Sequence, residues 1–175
     1  EKLLENCDGF WLGGGYPERF AKELSSNVTM RESIHKALLQ DMPCIAECGG
    51  FLYLHNELEN ENYESFPMVA SIDAKAFKTE KLQRFGYIEV TSNKKSILGD
   101  AGIRFQAHEY HYWESEDTGQ DFTASKRGRN TTYSCIHSQG NLFAGFPHLY
   151  LYGNIDMAYQ FLKTCAAYRD GKRSV

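Results

Sequence analysis

A short apolar run that ends in a cysteine and two glycines leaves this chain few folds to choose from. The segment reads Pro43-Cys44-Ile45-Ala46-Glu47-Cys48-Gly49-Gly50-Phe51-Leu52. An apolar strand that turns at once into a helix-compatible stretch presents Cys48 on a sharp elbow. The glycines let neighbouring backbone pass close behind the thiol, and the first N–H groups of the new helix point at the same spot. Those groups and the helix dipole are expected to lower the pKa of the thiol, whose ionised form is the nucleophile. The alternative is a buried structural cysteine.

The order of elements around the elbow sets the fold class. Asp8-Gly9-Phe10-Trp11-Leu12 reads as a buried strand broken by Gly13-Gly14-Gly15 and Pro17. From Glu18 to about Gln40, Phe20, Leu24, Val28, Ile34, Leu38 and Leu39 recur at helical spacing. Polar residues at 25–29 predict two helices with a cap near Thr29. Cys44–Glu47 is the next strand, followed by a helix to about Asn56. Alternating strands and helices predict an α/β fold with a mostly parallel central sheet flanked by helices. Chemistry in such sheets lies at the carboxyl ends of the strands, where the triple glycine and Cys48 should meet.

The second half changes character. Glu57–Glu64 reads as an acidic loop, and β-rich runs follow at Met68–Ile72, Ala74–Phe77, Phe85–Thr91, Arg104–Tyr112, Thr131–Ile136 and Leu142–Phe146. Ser92–Asp100 and Glu114–Gly128 read as polar loops, so extra antiparallel strands are expected here. A final helix spans about Asn154 to Tyr168, with Met157, Ala158, Phe161, Leu162 and Cys165 on one face. One domain, residues 1–175, accounts for all of this.

Bulk properties exclude several function classes. A net charge of −4 argues against a nucleic-acid groove. The short basic stretches Lys126-Arg127-Gly128-Arg129 and Lys172-Arg173 read as solvated surface. No apolar run reaches membrane-spanning length, so no membrane partner is expected. Five cysteines without a CxxC pair or zinc spacing fit a reduced, cytoplasmic setting and no bound metal. The chain starts at Glu1, so it is expected to be a piece of something longer.

A catalytic cysteine needs a base, most often histidine. Among six histidines, His35 and His55 fall in helical stretches and read as surface residues, while His137 sits in a polar turn. His148 follows strand Leu142–Phe146 and therefore shares the expected edge with Cys48; the alternative is a loop histidine without a role. Gly13-Gly14-Gly15 matches neither GxxxxGK[ST] nor GxGxxG. It is a tight turn whose bare N–H groups, with the one after Cys48, are placed to bind an oxyanion. His108 and His111 lie on one strand at a spacing that sends them to opposite faces, which disfavours a metal site.

Together, Leu12-Gly13-Gly14-Gly15-Tyr16-Pro17-Glu18, Ala46-Glu47-Cys48-Gly49-Gly50, Arg84-Phe85-Gly86-Tyr87, His108-Glu109-Tyr110-His111-Tyr112 and Pro147-His148-Leu149 resemble a known family. It is the glutamine amidotransferase domain of the cobyrinic acid a,c-diamide synthases, the cobalamin-pathway branch of the class I (triad-type) amidotransferases. The motifs fall in family order across nearly the whole chain, and the first two are the specific ones. The resemblance implies a class I three-layer fold, Cys48 as nucleophile, His148 as its base, and an oxyanion hole from Gly14, Gly15 and Gly49. Arg84, His108, Glu109 and His111 would stand near the active-site mouth. L-Glutamine is the implied substrate, with no cofactor in this domain. ATP and Mg would belong to a synthetase domain of the full-length chain, which would also receive the corrin precursor.

Two departures shape these expectations. Many class I members carry a glutamate two residues after the histidine, and here Tyr150 stands there. The cobyrinate branch is similar in lacking that acid, so a Cys–His dyad is expected with its orienting group unidentified. Glu47 adjoins the nucleophile, but neighbours on a strand alternate in direction, and sequence assigns it no catalytic part. The family domain normally begins with a further strand, helix and strand, a unit of about 30 residues. Its absence would leave an unpaired sheet edge and favour self-association into a homo-oligomer. Rival readings are service to another tetrapyrrole such as nickel-sirohydrochlorin, a non-catalytic binding or regulatory domain, and an unrelated Cys–His hydrolase.

Overall fold

The computed structural model describes residues 1–126, 128 and 131–173. Its centre is a three-stranded parallel sheet of β1 (Phe10–Leu12), β2 (Cys44–Glu47) and β11 (Leu142–Gly145), with β2 in the middle. All four residues of β2 are buried, which explains its continuous apolar run and makes Glu47 the exception. Its side chains serve two cores. Cys44 and Ala46 face a cluster containing Phe51, Leu54, Leu58 and Met68, whereas Ile45 faces one containing Val90, Phe105, Phe122 and Phe143. Burial of each of these large side chains contributes roughly 2–3 kcal/mol.

Helices α1 (Ala21–Ser26) and α2 (Val28–Leu39) connect β1 to β2. The cap between them is Asn27 rather than Thr29, because the Asn27 side chain accepts the Met30 N–H. Helix α3 (Gly49–Tyr53) begins immediately after Cys48 and lasts barely more than one turn. It ends where β3 (His55–Glu59) starts, so the expected helix to Asn56 stops early and part of the acidic loop is strand. His55 is consequently a fully buried strand residue, not a surface helix residue, and it bonds the Phe51 carbonyl and the Ser115 hydroxyl. Only His55 and Leu58 of β3 point fully inward, a pattern too sparse to read as a strand.

Strand β3 lies between β4 (Ser65–Pro67) and β5 (Ile72–Lys78), and β5 pairs in turn with β8 (Trp113–Ser115). Residues 68–71 form a connection bonded to the α3–β3 backbone instead of the expected strand. The third sheet is antiparallel and runs β10 (Thr132–Cys135), β9 (Phe122–Lys126), β6 (Arg84–Ser92), β7 (Arg104–His111), β12 (His148–Leu149). The extra antiparallel strands of the second half are therefore present. Of these, β9 falls inside the stretch expected to be loop, and β8 overlaps its start. In β9 only Phe122 and Ala124 face the core, and polar neighbours mask the alternation.

Helix α4 (Asp156–Arg173) covers the second core through Met157 and Phe161, while Leu162 is exposed. Lys172 and Arg173 continue that helix. Arg127 and Arg129 lie outside the described residues. Among the described residues, no helix is long and apolar enough to cross a membrane.

Candidate active site

The elbow is built by conformational strain and close backbone packing. Cys48 sits at φ 46°, ψ −104°, a region costly for a residue with a side chain. Its N–H is held by the Gly145 carbonyl at 2.8 Å, and the Gly50 N–H donates to the Gly13 carbonyl at 3.1 Å. A Cβ on Gly50 would lie 2.2 Å from the Leu12 carbonyl oxygen, and one on Gly49 2.6 Å from that of Gly15. Both glycines are thus required where the elbow meets the triple-glycine turn.

That contact brings the predicted residues together. Gly14, Gly15, Cys48, His111 and His148 all line one cavity of about 360 Å³. This is the low end of the range for small-molecule sites. The His148 ring rests against Gly14 so closely that a Cβ there would stand 2.4 Å from ring carbon Cε1. Gly49 supports the turn from behind, against Gly15.

The other predicted residues are dispersed. Arg84 and Glu109 line a separate small cavity with Tyr133, whose ring lies 3.6 Å beneath the Arg84 guanidinium and whose hydroxyl donates to Glu109. His108 pairs across the strands with His148 and packs edge-on against Phe85 and Tyr87. His111 faces the opposite side, stacked 3.7 Å from Phe146 with its Nδ1 on the Trp113 carbonyl at 2.7 Å.

Sequence reasoning left out Glu18, Tyr110, Tyr112 and Trp113, which share the main cavity. The alternation of β7 could have indicated Tyr110, but the turn into β8 that swings Tyr112 and Trp113 inward has no local signal. Glu18 is 6% exposed and makes no ion pair among the described residues. Burial pushes its carboxyl pKa up.

Electrostatics correct the expectation of an activated thiol. Burial pushes the Cys48 pKa up to about 11, with the carboxylates of Glu18, Glu47 and Glu109 adding to the rise. The Gly49 N–H pulls the other way without overcoming burial, and a helix as short as α3 has little dipole to add. Burial, with His108 nearby, holds the His148 pKa below its ordinary value. Both groups therefore rest neutral, a thiol and an imidazole lining the same cavity. Among the described residues, no carboxylate hydrogen-bonds the His148 ring, and no cluster of three metal-ligating side chains occurs.

A model of the CobB/CobQ-like glutamine amidotransferase domain matches residues 1–154. The chain belongs to this family. Its relatives include the cobyrinate a,c-diamide synthase of Caldanaerobacter subterraneus subsp. tengcongensis, 35% identical over 170 residues covering 96% of this chain and 38% of that protein. The enzyme of the same name from Fusobacterium nucleatum is 39% identical over 169 residues, covering 93% and 35%. This family member thus spans little more than a third of the length of the curated relatives it matches. In three dimensions it resembles the structure of PurLQS from Thermotoga maritima, with a TM-score of 0.62 at 12% identity over 96% of this chain and 82% of that one. With the family match, that likeness in fold gives a class I glutamine amidotransferase-like architecture.

Proposed function

We propose that this domain hydrolyses glutamine to glutamate and ammonia through a cysteinyl thioester. The observation that carries the reading is that Cys48 and His148, from distant parts of the chain, open onto one cavity walled by Gly14 and Gly15. The ammonia would serve ATP-dependent a,c-diamidation of cobyrinic or hydrogenobyrinic acid by a synthetase partner domain. The names and greater length of the curated relatives support that assignment.

With both groups neutral at rest, the proton moves during attack. As the Cys48 sulfur adds to the carboxamide carbon, its proton passes to the His148 ring. The carbonyl oxygen, now anionic, is held by backbone N–H groups of Gly14 or Gly15 and Gly49. The imidazolium then protonates the departing nitrogen, the C–N bond breaks, and ammonia leaves a thioester. Water attacks the thioester with His148 again taking a proton, and glutamate is released. Glu18, a buried carboxylate lining the cavity, is the acceptor for the α-ammonium group of glutamine.

The test is Cys48→Ala in the full-length protein. Glutamine-dependent amidation and glutaminase turnover should disappear while ammonia-dependent amidation persists. Glutaminase turnover that survives the substitution refutes the reading.

A further inference from the structure

Cys48 follows β2 and His148 begins β12, and one buried side chain links the two segments. Glu47, the residue before Cys48, is 7% exposed. Its Oε1 accepts the backbone N–H of Leu149, the residue after His148, at 2.5 Å. Its Oε2 accepts the indole N–H of Trp11 at 3.1 Å. The strand carrying His148 is only two residues long and is paired with β7 alone, through His148 opposite His108 and Leu149 opposite Ala107. A ladder that short frays unless its other edge is held as well. Glu47 supplies that hold, and Trp11 on β1 fixes the direction in which the carboxylate points.

The geometry points to Glu47 as a positioning residue, whose carboxylate holds the His148 backbone in register with Cys48 by bridging Leu149 and Trp11. Among the described residues Glu47 bonds the Trp11 indole and the Leu149 N–H, not the imidazole. The position two residues beyond His148 is taken by Tyr150, which is 58% exposed. Alignment of nucleophile and base therefore comes from the nucleophile's own strand. The chemistry is specific: both partners are N–H donors, so the bridge needs two acceptor oxygens. Burial raises the carboxyl pKa of Glu47, whereas the two hydrogen bonds oppose that rise.

The inference rests on Cys48 and His148 acting as proposed, and the experiment separates the two. In the full-length protein, Glu47→Gln sets an amide NH2 against one of the two donors. Misplacement of a base by about 1 Å costs on the order of 100-fold in rate. The expected result is a kcat for glutamine hydrolysis lower by ~100-fold, with KM within about threefold because the glutamine-binding wall is untouched. Trp11→Phe removes the competing donor, so Glu47→Gln in that background should recover at least about tenfold of the lost kcat. A purely structural role would lower thermal stability without that rescue. A folded Glu47→Gln protein with kcat within threefold of the parent overturns the inference, as does a double variant no faster than Glu47→Gln alone. Should Glu47→Gln fail to fold, Trp11→Phe is compared with Trp11→Phe/Glu47→Leu, which has no acceptor; equal kcat in those two also overturns it. Neither result bears on the glutaminase assignment, which stands or falls with Cys48→Ala.

Discussion

Gly14→Ala is the most informative single change at the cavity, because it adds one methyl group against the proposed base and little else. The new Cβ would lie 2.4 Å from His148 Cε1 and 3.2 Å from Nδ1. Non-bonded carbons settle at about 3.5–4.0 Å, so the ring must retreat by about 1 Å or more. A general base must come within about 2.6–3.2 Å of the group whose proton it takes, and such a retreat carries the His148 ring out of the place it holds against Gly14. The cost is on the order of 100-fold in kcat/KM, equivalent to about 2.7 kcal/mol of transition-state stabilisation. Stability should hardly change, because Gly14 is not in the left-handed region and replacing glycine at a compatible backbone restricts the unfolded chain. The neighbouring Gly13→Ala is the control, since its Cβ would meet nothing within 4 Å. Glutamate release under initial-rate conditions and a thermal melt of each variant make the comparison. A Gly14→Ala enzyme that keeps kcat/KM within threefold of Gly13→Ala refutes the argument that His148 works from its place against Gly14.

Glu18→Gln removes the one carboxylate that lines the cavity among the described residues and should raise KM for glutamine by roughly 10- to 100-fold with little change in kcat, the range expected for a charge-assisted hydrogen bond. Glutaric acid monoamide, which lacks the amino group, should be hydrolysed equally by parent and variant; an equal loss with both substrates counts against the assignment. Burial of His111 lowers its pKa to about 4 from an ordinary 6.5, with the Trp113 carbonyl opposing and Arg84 and His148 adding to the drop. The unfolded chain therefore binds the extra proton first. Stability from this group is complete above about pH 6.5 and declines as pH falls towards 4, by up to about 3 kcal/mol. Denaturant midpoints at pH 7 and pH 5 should differ by less in His111→Asn than in the parent, and an unchanged difference rules the contribution out.

The second half of the fold shows where sequence reading fails and why. Strand β6 is legible because apolar residues alternate along it, Phe85 and Tyr87 exposed and Ile88 and Val90 buried. Strand β3 hides His55 and Leu58 among Asn and Glu, and only pairing with β4 and β5 gives its polar residues a place. The site divides in the same way. Tyr112 and Trp113 enter the cavity because β7 turns into β8, a bend that no spacing of apolar residues announces. Arg84 and Glu109 look equally functional in the chain, yet they line a separate cavity with Tyr133.

Local constraint was enough for the elbow. An apolar strand, a cysteine and two glycines mark a sharp turn with backbone packed behind it, and only glycine tolerates backbone at 2.2–2.6 Å from its missing Cβ. Family order added His148 to that cysteine. The thiol's protonation depended on the fold, since burial is a sum over every neighbour and outweighs the nearby N–H that sequence can see. So did Glu47, whose two donors come from β1 and from the segment after β11; sequence places a carboxylate beside the nucleophile, and only the packed sheet turns it towards Leu149 and Trp11.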